Sequence, residues 1–150
     1  FLYFIGHSRR KRDRCTNTFM ASTAHKTQEE VAEHTEPAEV VEKKIDQLAA
    51  IMAGARNAIA WTGAGVSTSA GIPDFRGPTG KWTLAAQGKT TTCRAGGTLA
   101  AVPTVTHRSI VELLRAQRLK FLISTNTDGL HRRSGVPAEK ISELHGNSNR

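Results

Sequence analysis

The short apolar run Asn57–Thr62 (NAIAWT) ends on the glycine-rich segment Gly63–Trp82, GAGVSTSAGIPDFRGPTGKW. That junction constrains the fold more than any other feature of the chain. A buried strand that stops at a glycine turn brings backbone N–H groups to one sheet edge, where parallel α/β sheets bind ligands. The pattern then recurs. Lys120–Thr125 (KFLIST) is a second buried-strand run, followed by NTDG, and ISEL (141–144) is a third, followed by His145 and Gly146. Between the first two, Thr106–Leu119 has helical spacing, with Ile110, Leu113, Leu114 and Gln117 on one side. A helix is expected from Pro37, with an apolar stripe of Val41, Ile45, Leu48 and Met52 lying over the sheet and Gly54 as its stop. Residues 88–101 read as a surface loop. Alternating strands and helices predict an α/β fold, a Rossmann-like parallel sheet with helices on both faces. Residues 1–35 show no sustained period and are expected to be a disordered basic and polar segment; residues 36–150 form the ordered domain.

Charge is unevenly placed. Residues 27–46 hold seven acids, whereas the last 104 residues hold thirteen Lys/Arg against five acids, so the glycine-rich region is itself basic. That suits an anionic ligand such as a nucleotide, contact with nucleic acid or chromatin, or simple solubility. Cys15 and Cys93 form no C-x-x-C pair, which excludes a disulfide framework and fits a reducing compartment. No run approaches the ~20 apolar residues that span a bilayer, so no membrane partner is expected. FLYFI precedes its basic cluster instead of following it and makes a poor signal peptide. Met20 opens MASTAHKTQEE, and residues 1–19 read as a fragment edge or translated upstream sequence. The alternative for RRKRDR is a nuclear-localisation or nucleic-acid patch.

Gly63-x-Gly65 permits close backbone approach to a phosphate, and Thr68 stands where a dinucleotide fingerprint wants its third glycine. An ordinary dehydrogenase site fails, because it needs an acid about 20 residues on and none occurs between Asp74 and Glu112. The loop does not continue into a Walker-type G-x-x-x-x-G-K-[ST] either. Asp74 and Arg76 flank Phe75 inside the loop, which suggests a flap over a ligand or, more simply, a local Asp–Arg turn contact. Asn126 and Asp128 either project into the cleft or form a turn with Gly129. His145 follows the third strand and is structural or catalytic. His107 and His131 read as surface or packing residues.

Taken together, GAGVSTSAGIPDFRGPTGKW, TNTDGLHRRSG and ISELHGN resemble the sirtuin family of NAD-dependent protein deacylases, in segment order and in spacing, over Pro37 to Asn147. GPTGKWTL, PTVTHRSIVELL and DGLHRRSG are most similar to its class IV, nuclear branch. The resemblance implies a Rossmann domain carrying a small zinc domain, NAD as cofactor, and an acylated lysine of a protein, such as a histone, as substrate. Acyl transfer to ADP-ribose, chromatin association and a nuclear location follow from it; a cytoplasmic location is the alternative. It implies that Gly63, Ala64 and Gly65 face the phosphates and that Thr68 contacts the cofactor. Asp74, Phe75 and Arg76 belong to the cofactor loop, Phe75 shielding the reactive ribose carbon, and Trp82 lines the site. Thr125 and Asn126 lie near the nicotinamide ribose, Asp128 holds the carboxamide, and His145 is the general base.

Three departures stand out. Thr125 replaces the family's usual Gln, GKTTTCRAGGTLAA replaces a more structured loop, and the chain stops at GNSNR, before the zinc ligands. The chain is therefore expected to be an N-terminal fragment that folds poorly and turns over little substrate alone. A non-catalytic NAD-binding regulatory module is the alternative; a basic nucleic-acid-binding protein is a third reading.

Overall fold

The computed structural model describes residues 29, 32, 34–90 and 97–149. Cys15, Cys93, RRKRDR and most of the segment expected to be disordered lie outside the described residues.

Three strands, β1 (Ile59–Thr62), β2 (Phe121–Ser124) and β3 (Ile141–Glu143), form one parallel sheet in the order β1-β2-β3. Each is shorter than its apolar run, but the hydrogen bonding continues past its ends. Lys120 N–H donates to the Ala58 carbonyl and Thr125 N–H to the Thr62 carbonyl, and Leu144 N–H reaches Ser124. Helix α1 is Ala38–Gly54, α2 Lys81–Ala86, α3 Val105–Arg115 and α4 Leu130–Arg133; 3-10 turns occupy Ala64–Ala70, Gly97–Ala100 and Ala138–Lys140. The parallel α/β fold expected from the sequence is present.

Register decides what each sheet face carries, because successive side chains point to opposite faces. Ala60 pairs with Leu122 and Leu122 with Ile141, so these share one face. Ile110, Val111 and Leu114 of α3, with Leu119 and Val136, bury that face into the main core. α3 forms where its stripe demands it and starts on a capping box, in which Thr104 accepts from the His107 N–H and the His107 ring accepts from the Thr104 N–H. It stops at Arg115, and Gln117 adopts a left-handed φ of 57°. Gln117 therefore lies past the helix, exposed, and does not continue the apolar side. Ile59 and Trp61 occupy the other face of β1 and are 56% and 69% exposed. A second, smaller cluster holds Ala70, Ala101 and Leu130.

Two further expectations fail: Ala101, at the end of the run read as a surface loop, is buried, and α1 does not pack as expected. α1 has the predicted bounds and period, but its stripe does not lie over the sheet. Val41, Ile45 and Leu48 are exposed, and only Met52, in the last turn, packs against the core. The period of a helix reports which residues share a face; it does not supply the surface that face meets.

Candidate functional site

The C-terminal ends of the three strands gather their polar loops at one edge, as the sequence implied. Gly63 is extended and opens the 3-10 turn Ala64–Ala70, in which Val66 N–H bonds back to the Gly63 carbonyl at 3.2 Å. A Cβ added at Gly65 would meet no heavy atom within 4 Å, so the backbone here borders open space. Thr68 is exposed, and its hydroxyl donates to the Gly65 carbonyl at 3.0 Å.

β2 leads into Thr125, Asn126 and Asp128. The Thr125 hydroxyl turns back to the Thr62 carbonyl at 3.2 Å. Asn126 and Asp128 are buried rather than projecting freely. Asn126 Nδ2 donates to the Gly63 carbonyl at 3.0 Å. Asp128 receives the Ser67 hydroxyl at 2.7 Å on one oxygen and the Leu130 N–H at 2.9 Å on the other. The short Ser67 contact is the charge-assisted kind. Gly129 follows with φ 71°, and a Cβ there would sit 2.9 Å from Asn147 Oδ1, so this tight entry into α4 requires glycine. Ser67 is completely buried and central to the network, yet nothing in its local sequence singled it out.

The PDFR loop is folded on itself. The Asp74 carboxylate accepts the Gly77 N–H at 3.0 Å, and Lys81 and Trp82 N–H groups bond the carbonyls of Asp74 and Phe75. The simple Asp–Arg turn contact is not formed. Arg76 instead stacks on Trp82, its guanidinium carbon 4.6 Å from a ring centroid, and Phe75 packs against the same indole at 4.9 Å. A Cβ at Gly80 would come within 2.6 Å of the Phe75 carbonyl carbon, so only glycine lets the two limbs of the loop close. A cleft of about 450 Å³ opens beside it, lined by Thr68, Ile72, Pro73, Asp74, Thr79 and Leu84 among others.

His145 is exposed after β3, with Nδ1 3.0 Å from the Thr125 carbonyl. A carbonyl only accepts, so Nδ1 carries the proton and Nε2 keeps its lone pair. His107 and His131 are 0% and 2% exposed, which refutes a surface position for either. Their rings lie 4.6 Å apart. Burial lowers the basicity of both. His131 is pushed down to about 4, first by burial and then by His107, with Asp128 pulling the other way.

Among the described residues no group of three His, Cys, Asp or Glu could hold a metal ion, so zinc has no seat there. A dinucleotide fits better. The open space at Gly65, the exposed ring of Phe75 and the guanidinium of Arg76 supply backbone, aromatic face and cation, and His145 lies where β3 ends.

A parallel sheet with a glycine turn after its first strand and polar residues at all three strand ends defines an α/β nucleotide-site architecture. Residues 90–150 match the Sir2 family model. It is 50% identical over 118 residues to the NAD-dependent protein deacetylase SRT1 of Arabidopsis thaliana, covering 79% of this chain and 25% of that protein. It is 45% identical over 120 residues to the NAD-dependent protein deacetylase sirtuin-7 of Rattus norvegicus, covering 80% of this chain and 29% of that one. A solved structure of Sir2 with a p53 peptide and NAD+ superposes with a TM-score of 0.55 at 28% identity, covering 69% of this chain and 46% of that chain. The chain thus spans a quarter to under a third of the length of these curated relatives.

Proposed function

We propose that this chain is the cofactor-binding and general-base part of an NAD-dependent protein-lysine deacylase. The observation that carries the reading is the tautomer of His145: Nδ1–H is tied to the Thr125 carbonyl, which leaves Nε2 free and exposed at the edge where the glycine turn ends. NAD, when bound, supplies an ADP-ribosyl acceptor for the acyl group, with nicotinamide leaving. The chain's own residues then have separable tasks. Gly63, Ala64 and Gly65 offer backbone to the phosphates, and Thr68 adds a hydroxyl. Asp74 braces the loop from inside, while Phe75, Arg76 and Trp82 close over the cofactor and exclude water. Thr125 and Asn126 set the floor under the nicotinamide ribose, and the second lone pairs of Asp128 remain for a carboxamide N–H. His145 Nε2, on the side of the ring away from the Thr125 carbonyl, would accept a proton from a ribose hydroxyl.

Similarity to sirtuin-7 and the basic charge of the domain support a class IV assignment, an acyl-lysine substrate on a histone, association with chromatin and a nuclear location. The test pairs calorimetry with NAD and a turnover assay on an acetylated histone peptide. NAD binding with weak turnover by this chain fits the proposal, and the residual turnover should vanish in His145→Tyr. NAD binding with no turnover in a longer protein carrying this segment would favour the regulatory-module reading instead.

A further inference from the structure

We propose that His107 and His131 form a positioning pair that fixes both ends of the Gly63–Ser67 turn; this rests on the reading of that turn as the cofactor-binding one. His131 Nε2 lies 2.8 Å from the hydroxyl of Thr62, the residue immediately before the turn. His107 Nδ1 accepts the Thr104 N–H at 3.2 Å and lies 2.7 Å from the Thr104 hydroxyl, which donates to the carbonyl of Val66 inside the turn at 2.9 Å. The next residue, Ser67, is held by Asp128. Segments far apart in sequence therefore meet on two touching imidazoles: the end of β1, the turn, the start of α3 and α4.

The composition of this cluster is informative. His107 Nε2 and His131 Nδ1 are buried and have no hydrogen-bond partner among the described residues. An unpartnered buried polar atom is destabilising, and two leucines would occupy similar space without that cost. What imidazole adds is a hydrogen bond between His131 and Thr62 just before the turn, and one that His107 accepts from Thr104, whose hydroxyl holds the Val66 carbonyl. Because His107 Nδ1 accepts a backbone N–H, its ring is neutral with the proton on Nε2. The charged and titratable groups acting on the pair are the two rings themselves and Asp128. Protonating His107 would turn its accepting nitrogen into a donor, breaking the bond from the Thr104 N–H and redirecting the ring to the Thr104 hydroxyl oxygen 2.7 Å away.

The experiment uses the full chain in trimethylamine N-oxide, which favours the folded state. It compares backbone amide resonances of Gly63, Gly65, Val66, Ser67 and Asn126 with calorimetric affinity for NAD. His131→Leu and His107→Leu remove the bonds; His131→Gln and His107→Asn place an amide where the bonding nitrogen was. The leucine variants are expected to move the turn amides and weaken NAD by about tenfold or more, and the amide variants to restore both. Leucine variants whose turn amides overlay the wild type, with the amide variants the more disturbed, would overturn the proposal in favour of simple space filling. Should the wild type not bind NAD, the cofactor reading fails, while the movement and rescue of the amides still decide the positioning role. Should the leucine variants not fold, an acid titration decides it. The turn amides are expected to move together with the imidazole ring protons in the wild type and to lose that response in the Gln/Asn double variant. A turn indifferent to imidazole protonation refutes the pair.

Discussion

Removing the Ser67 hydroxyl takes away the short bond to Asp128 and a longer one accepted from Asn126 Nδ2 at 3.4 Å. Ser67 is fully buried, Asp128 is 6% exposed, and their oxygens lie 2.7 Å apart. Among the described residues the other partner of that carboxylate is the Leu130 N–H, on the opposite oxygen. Ser67→Ala removes one small polar group, leaves almost no cavity and strands a charged oxygen away from water. A hydrogen bond to a charged group contributes about 1.5–3 kcal/mol, and the loss should fall in that range. For an ordered region of this size each kcal/mol moves Tm by roughly 4–8 °C, so a fall on the order of 10 °C is expected by calorimetry or circular dichroism. Asp128→Ala should cost at least as much, because it also frees the Leu130 N–H at the start of α4. The double variant should show a coupling of about 1–2 kcal/mol, since the pair shares one bond. Urea midpoints give the same cycle independently of heat. A Ser67→Ala protein melting within about 2 °C of the wild type, or a coupling near zero, would show that the hydroxyl does not hold Asp128 and that the strand-end network is looser than its geometry states.

Other consequences follow from single residues. Gly80→Ala should force the loop open, read as faster tryptic cleavage after Arg76 and Lys81 and a red shift of Trp82 emission, whereas Gly65→Ala, which meets no neighbouring atom, should leave the fold intact and weaken only NAD binding. Trp82→Ala should cost only about 0.5–1 kcal/mol, the size of an exposed cation–π contact, yet release Arg76 and Phe75 to protease. His131 binds protons less readily in the folded chain than its usual value of 6.5, down to about 4. The unfolded state therefore takes up more protons in that window. Stability should be full above pH 6.5 and fall as pH drops toward 4, and His131→Gln should flatten that slope. A melting profile level across the window would remove the buried neutral imidazole from the account.

Much of this was legible in the sequence because it is local. Strand runs bounded by Gly and Asp-Gly, a helical stripe in Ile110, Leu113 and Leu114, and a glycine loop of unusual length each reflect short-range chemistry. The hidden part is non-local. Ser67 meets Asp128 across 61 residues, Thr62 meets His131 across 69, and Thr104 meets Val66 across 38. No periodicity encodes such pairs. One signal was available: Thr104-x-x-His107 has capping-box spacing with an imidazole in place of Glu, which already directs His107 back to the backbone. The Arg76–Trp82 stack was similarly foreshadowed by alternating basic and aromatic residues in PDFRGPTGKW. The exposed stripe of α1 fails for the opposite reason, since its pattern is local but its burial needs a facing surface.

The site residues divide by what they are already bonded to. Asn126 and Asp128 have their strongest bonds inside the chain, and Thr68 and Thr125 each donate to a carbonyl of their own surroundings. Groups held that way set shape and offer a ligand only their remaining lone pairs. The groups still free to engage a ligand are the backbone at Gly65, the ring of Phe75, the guanidinium of Arg76 and Nε2 of His145. Of these, Arg76 and Phe75 must both leave Trp82, and the Arg76 stack is worth only about 0.5–1 kcal/mol at an exposed site. A phosphate or ribose oxygen accepting a charge-assisted bond exceeds that easily. The loop is thus poised to exchange its internal stack for a cofactor at small cost, while the network beneath it, anchored by Ser67 and the two buried imidazoles, stays fixed. Binding should accordingly move Phe75, Arg76 and Trp82 and leave Asn126 and Asp128 where they are.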